Sequence, residues 1–114
     1  MVEEQDYQIV ITSTAERAYF EVLDYVFEHH SKQSANSIAL ELLEHPQILK
    51  KFPNLGTIEA NLKQRSEKYR FILFERTTKI TVKIIYYVDE ENKKIYLTDF
   101  FPCEMNEQKI RRRK

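Results

Sequence analysis

Residues 83–110 read KIIYYVDEENKKIYLTDFFPCEMNEQKI, and the fold turns on how this stretch pairs. Two runs rich in β-branched and aromatic residues, 80–88 and 95–101, flank the polar link Asp89-Glu90-Glu91-Asn92-Lys93-Lys94. A polar link that short between two strand-forming runs predicts an antiparallel hairpin. A third run of the same character, 69–76, precedes it across Thr77-Thr78-Lys79, so the C-terminal half predicts a three-strand meander. Along run 80–88 the two-residue period sets Val82, Ile84, Tyr86 and Val88 on one face and Thr81, Lys83, Ile85 and Tyr87 on the other. One face is expected to meet helices and the other to be partly wet.

Upstream, residues 7–12 alternate β-branched and polar side chains and predict a first strand. Ser13 or Thr14 then offers a capping oxygen to a helix whose Ala15, Ala18, Tyr19, Val22, Leu23, Val26 and Phe27 recur at three- and four-residue steps, ending near His29-His30. After the polar break 31–34, Ala35, Ile38, Leu42 and Leu49 keep helical spacing, with Pro46 inside the pattern. Proline lacks the amide donor and crowds the carbonyl four residues back, so this second helix should stop at His45 and restart with Pro46 in its first turn. Phe52-Pro53-Asn54-Leu55-Gly56 closes the helical region, and Gly56 is expected to supply a left-handed turn conformation. Residues 57–68 have a weak pattern and are expected to form a loop with one helical turn. The element order predicts an α+β domain: a four-stranded antiparallel sheet with a two-helix hairpin on one face, arranged β-α-α-β-β-β.

Composition bounds the function classes. A length of 114 residues with 42% hydrophobic content suits one domain over residues 1–114, with 1–6 and 111–114 expected to be flexible. Lys plus Arg and Asp plus Glu are 18 each, so no global field draws the chain to nucleic acid and any such contact must come from local clustering. The single Cys103 cannot close an internal disulfide, no basic-then-apolar leader opens the chain, and no apolar run is long enough to span a bilayer. A soluble, cytoplasmic protein without membrane contact is expected. With one Gly, phosphate-cradling glycine loops are absent, and His29, His30 and His45 lack ligand spacing, so neither a cofactor nor a metal is expected.

The order of these phrases resembles the RelE/ParE superfamily of toxins from type II toxin-antitoxin and plasmid stabilisation systems. The parts that carry the resemblance are the opening strand, two amphipathic helices, the 52–56 turn, Tyr69-Arg70, Lys83-Ile84-Ile85-Tyr86-Tyr87-Val88-Asp89 and a final strand. The resemblance implies a cytoplasmic toxin silenced by a cognate antitoxin protein. It leaves three activities open: a ribosome-dependent mRNA endonuclease (mRNA interferase), a ParE-like inhibitor of DNA gyrase without nuclease chemistry, or a degenerate toxin that only binds its antitoxin. The fold alone does not choose among them.

For the nuclease branch, attack of a ribose 2′-hydroxyl on the adjacent phosphate builds negative charge that cations must neutralise. The resemblance places Lys83, before Tyr86, where such toxins hold the phosphate with an arginine, and Arg70 at a basic position of the preceding strand; these two are the catalytic candidates. Lysine keeps the charge but not the two-pronged donor geometry. The tail departs from the family pattern, with Glu104 where an arginine is expected and Glu107 in place of a proline. A carboxylate there raises the barrier by repulsion unless it acts as a base. Lys63, Arg65 and Lys68 are the candidate RNA-binding residues, since a local basic excess can follow a phosphate backbone. The ordinary alternative is a solvated loop.

Overall fold

Residues 6–62, 67–77 and 80–103 are described by the structure, a computed structural model. The chain runs β1 (Gln8–Ile11), α1 (Ser13–His29), α2 (Lys32–Glu44), a 3-10 turn (His45–Lys50), β2 (Thr57–Ile58), a second 3-10 turn (Ala60–Leu62), β3 (Arg70–Thr77), β4 (Ile80–Asp89) and β5 (Lys94–Pro102). The α+β class and the helical hairpin on one sheet face follow the sequence pattern. The sheet does not: it has five strands in the order β1-β5-β4-β3-β2, and β1 runs parallel to β5. Short links fix direction only between strands they join, as in the antiparallel pairs β3–β4 and β4–β5. The direction of β1 is set instead by the two helices between it and the meander. The fifth strand, β2, is a two-residue edge too short to leave a pattern.

Local chemistry explains the element ends. The cap of α1 is Thr12, not Ser13 or Thr14 as expected, and its Oγ1 accepts from the Ala15 amide at 3.1 Å while donating to the Leu97 carbonyl at 3.0 Å. One hydroxyl thus starts the helix and ties it to β5. Ser31 caps α2 through the Ser34 amide, and Pro46 enters the 3-10 turn at its start, so the helix changes pitch at His45 as the missing amide requires. The apolar stripe of α1 (Ala15, Ala18, Tyr19, Val22, Val26) and Ala35, Ile38 and Leu42 of α2 bury against Ile72, Phe74, Val82, Ile84, Tyr86, Ile95, Leu97 and Phe100. Each large side chain buried there contributes about 1.5–3 kcal/mol.

Beyond Leu97, the period of two breaks. Tyr86 pairs with Leu97 and Ile85 with Asp99, so Thr98 is an extra residue, a bulge whose hydroxyl donates to the Ile85 carbonyl at 3.2 Å. Strict alternation would point Asp99 into the helix-covered core. The bulge turns Asp99 and Phe101 to the opposite face and sends Phe100 into the core, where its ring meets Tyr19 edge-on at 5.5 Å.

That opposite face is partly wet, as expected, with Leu73 exposed and Thr81 and Tyr87 half-buried, but its middle is covered. Past the edge strand β2, residues 59–62 fold over it, and Leu62, Ile85 and Phe101 form a second apolar cluster with Tyr69 and Phe71. Among the described residues no helix is long and apolar enough to cross a membrane.

Candidate functional site

Lys83 opposes Leu73 and Phe101 in the sheet register, with Phe71 diagonal to it, all on the face away from the helices. The residue is 7% exposed and lies in an apolar frame. A lysine there would carry a heavy desolvation cost. The segment 57–62 supplies the answer: Glu59, 1% exposed, brings Oε1 to 2.9 Å from the Lys83 Nζ. Its other oxygen accepts from the Asn61 backbone amide at 2.9 Å and from the Asn61 side-chain amide at 3.0 Å. The ammonium also sits 4.4 Å from the centroid of the Phe71 ring, at cation–π distance. Asp99, buried beside Ile85, adds a second carboxylate to the same face.

Arg70 belongs elsewhere. It opposes Tyr86 across the β3–β4 ladder, while Lys83 opposes Leu73, so the two cations stand on opposite faces of the sheet. They lie at positions of opposite parity in this register, and no twist of a regular ladder brings them together. A joint phosphate clamp from Lys83 and Arg70 is therefore not formed. Arg70 Nη1 instead donates to the Gly56 carbonyl at 2.8 Å. The Tyr86 hydroxyl completes that node, accepting from the Gly56 amide at 2.9 Å and donating to the Pro53 carbonyl at 2.8 Å. Burial pushes the Tyr86 phenol pKa up, and the Gly56 amide and the Arg70 charge offset part of that rise. Gly56 does not adopt the left-handed conformation expected of it; the positive φ among the described residues belongs to Lys93, at 56°. Its role is close approach, because a Cβ there would meet the Phe71 carbonyl oxygen at 2.6 Å.

Of the basic trio, Lys63 and Arg65 lie outside the described residues, as do Glu104, Glu107 and residues 111–114. Lys68 is exposed and shares an open cleft of about 460 Å³ with Arg70, Asn54, Glu67, Tyr87, Asp89 and Glu90. The cleft is of mixed charge. Burial, then the nearby Glu67, Tyr96 and Asp89, push the Tyr87 phenol pKa up. Tyr87 also stacks on Tyr96 at 5.1 Å and meets Tyr69 edge-on at 5.5 Å.

Glu59 and Asp99 escaped the reading of the sequence. Glu59 lies in a segment without periodicity, and Asp99 is turned by a bulge that alternation does not foresee. One signal did exist: a lysine inside the apolar run Val82 to Val88 needs an anion somewhere else in the fold. Among the described residues no group of three His, Cys, Asp or Glu side chains is placed to hold a metal ion. No protein-family model and no curated protein sequence matches this chain.

Proposed function

We propose that this chain is a toxin-type module resembling the RelE/ParE superfamily that acts in the cytoplasm by binding a protein target, without cutting RNA, and is silenced by a cognate antitoxin. The observation that carries the choice of branch is the Lys83–Glu59 pair. A lysine already facing a buried carboxylate at 2.9 Å is neutralised before any phosphate arrives. Arg70, on the other face, gives no second cation to the same phosphate. The binding branch draws support from large apolar side chains left exposed on the helices and the 52–56 turn, among them Phe20, Leu40, Phe52 and Leu55, which a protein partner would cover. DNA gyrase is the target that the resemblance suggests.

The test is controlled expression in a bacterial host, with growth, plasmid supercoiling and mRNA 5′ ends followed together. The expected result is slowed growth and altered supercoiling, relieved by co-expressing an adjacent short reading frame, with no new codon-linked 5′ ends. Ribosome-dependent cleavage would overturn this reading, and unimpaired growth would reduce the chain to an antitoxin-binding remnant.

The endonuclease reading keeps one observation in its favour, the shared cleft of Lys68 and Arg70. If that cleft guides RNA, Lys68→Ala and Arg70→Ala abolish cleavage while Lys83→Ala does not.

A further inference from the structure

β1 is the outermost strand on its side of the sheet, and its pairing leaves half of its backbone unused. The Gln8 amide donates to the Lys93 carbonyl at 2.9 Å and the Thr12 amide to the Leu97 carbonyl at 3.1 Å, both toward β5. Backbone groups alternate between the two edges of a strand, so Ile9 and Ile11 turn their amides and carbonyls outward. Among the described residues no backbone partner stands on that side of either. Two residues before Ile9 the same edge is in use, since the Tyr7 amide donates to the Lys50 carbonyl at 3.0 Å; the open part begins at Ile9. Gln8–Ile11 has no charged residue, proline or bulge, the devices that blunt exposed edges.

The surroundings of this edge carry a definite chemistry. Ile11 pairs with Leu97 of the core, which sets its side chain on the helix-covered face, and there it borders a groove of about 240 Å³ with Tyr19, Phe20, Leu43 and Phe100. Phe20 and Ile11 leave the groove open to solvent, at 54% and 43% exposed. The charged side chain in its lining is Glu16. Across the helical hairpin, residues 13–44, acids outnumber bases six to two in a chain whose total is balanced. A basic partner is attracted to such a surface and a nucleic acid is repelled.

We propose that the outer edge of β1 docks an extended, basic segment of another protein. That segment continues the sheet through Ile9 and Ile11, sets an apolar side chain in the groove of Ile11, Phe20 and Leu43, and brings a lysine or arginine to Glu16. Main-chain bonds supply affinity in this mode, and the groove reads every second side chain of the added strand. A docked helix would leave the Ile9 and Ile11 groups unused. A second copy pairing through its own β1 would bring no cation to Glu16, because Gln8–Ile11 is uncharged. The inference deepens the protein-binding reading above by naming the edge and the chemistry of the partner, and it rests on that reading only in expecting a protein. The growth and supercoiling assays use no peptide, so either reading can fail alone.

Titration of the full chain with two blocked heptapeptides tests it, one alternating isoleucine with lysine and threonine, the other carrying glutamate in place of lysine, followed by amide NMR and hydrogen exchange. In the free protein the Ile9 and Ile11 amides should exchange ahead of the Thr12 amide, which is bonded to β5. The lysine peptide should protect both and bind roughly tenfold more tightly than the glutamate peptide, since an exposed ion pair takes the place of a like-charge contact of similar size. Glu16→Lys should reverse that order. Ile11→Pro removes an outward N–H while leaving the β5 ladder intact, and should abolish binding. Absence of binding by the lysine peptide at millimolar concentration would overturn the proposal, as would equal affinity for the two peptides in the wild type. Shifts confined to Phe20 and Leu43, with Ile9 and Ile11 still exchanging freely, would overturn strand addition. Protection of both amides in the free chain as its own concentration rises would overturn the proposal in favour of a second copy on the edge. Should Ile11→Pro fail to fold, Glu16→Lys, exposed on the helix surface, decides: an unchanged order of affinities would overturn the proposal.

Discussion

Gly56 and Tyr86 are fitted to each other: the Tyr86 hydroxyl lies 2.9 Å from the Gly56 amide nitrogen, and a Cβ on Gly56 would come within 2.7 Å of that same oxygen. The Phe71 carbonyl blocks the alternative side at 2.6 Å, and neither backbone nor a fully buried ring can swing away. Gly56→Ala should therefore cost about 1–3 kcal/mol, the usual penalty of overpacking. Because the φ of Gly56 is not positive, that cost is steric and not conformational. Urea unfolding of the two proteins measures it, and a variant as stable as the parent would show that the turn can shift.

Tyr86→Phe probes the same node from its other side. The ring still packs, but the Gly56 amide and the Pro53 carbonyl lose their partner, at a cost of about 1–3 kcal/mol for buried groups left unsatisfied. The pH dependence has a definite sign. Burial holds the folded phenol pKa above its ordinary 10.0, so the contribution of this group is fully present below the unfolded value and is lost as pH rises through the folded one. The alkaline limb of the stability curve should be shallower in Tyr86→Phe than in the wild type, with Tyr19 and Tyr87, also raised, supplying what remains.

Legibility in the sequence followed the range of the forces involved. The stripe from Ala15 to Val26 and the alternation of Val82, Ile84 and Tyr86 are local periodicities, and the structure places each on the face they specify. Pro46 marked the change of pitch at His45 for an equally local reason. The parallel pairing of β1 with β5, the Thr98 bulge and the contact of Glu59 with Lys83 join residues far apart in the chain, or follow from such joining, and leave no periodic trace. Lys83 shows the boundary clearly. Its place mid-strand was readable, but its neutralisation was not, because the partner sits 24 residues away in a segment with no pattern of its own.

Thr12 carries two bonds with one oxygen and should be unusually sensitive for a helix cap. Thr12→Val keeps the β-branched shape while removing both the acceptor for the Ala15 amide and the donor to Leu97. A lost cap alone costs about 0.5–2 kcal/mol, and the lost tie to β5 should bring the total toward the upper end. Thr12→Ser restores both bonds and should recover most of the difference in thermal unfolding. Equal losses for Val and Ser would assign the effect to packing of the methyl group instead.

Asp89 closes the β4–β5 turn by accepting from the Asn92 backbone amide at 3.2 Å and from its side-chain amide at 2.8 Å. The Asn92 side chain first, and then its backbone amide, hold the Asp89 carboxyl below its ordinary pKa, with Lys94 adding a smaller pull. Because the folded value is depressed, the stabilisation is present above the unfolded carboxyl pKa and disappears as pH falls through the folded one. Asp89→Asn removes the charge at every pH. The stability gap between wild type and Asp89→Asn should thus be open at neutral pH and close in acid, and a carbon-detected NMR titration should place the Asp89 midpoint below the ordinary value of an aspartate. The turn also holds Lys93 at a positive φ, a conformation that favours glycine. Lys93→Gly should therefore offset part of the loss in the Asp89→Asn background, and a gap that stays constant with pH would show that Asn92 is held by the backbone of the turn rather than by the Asp89 charge.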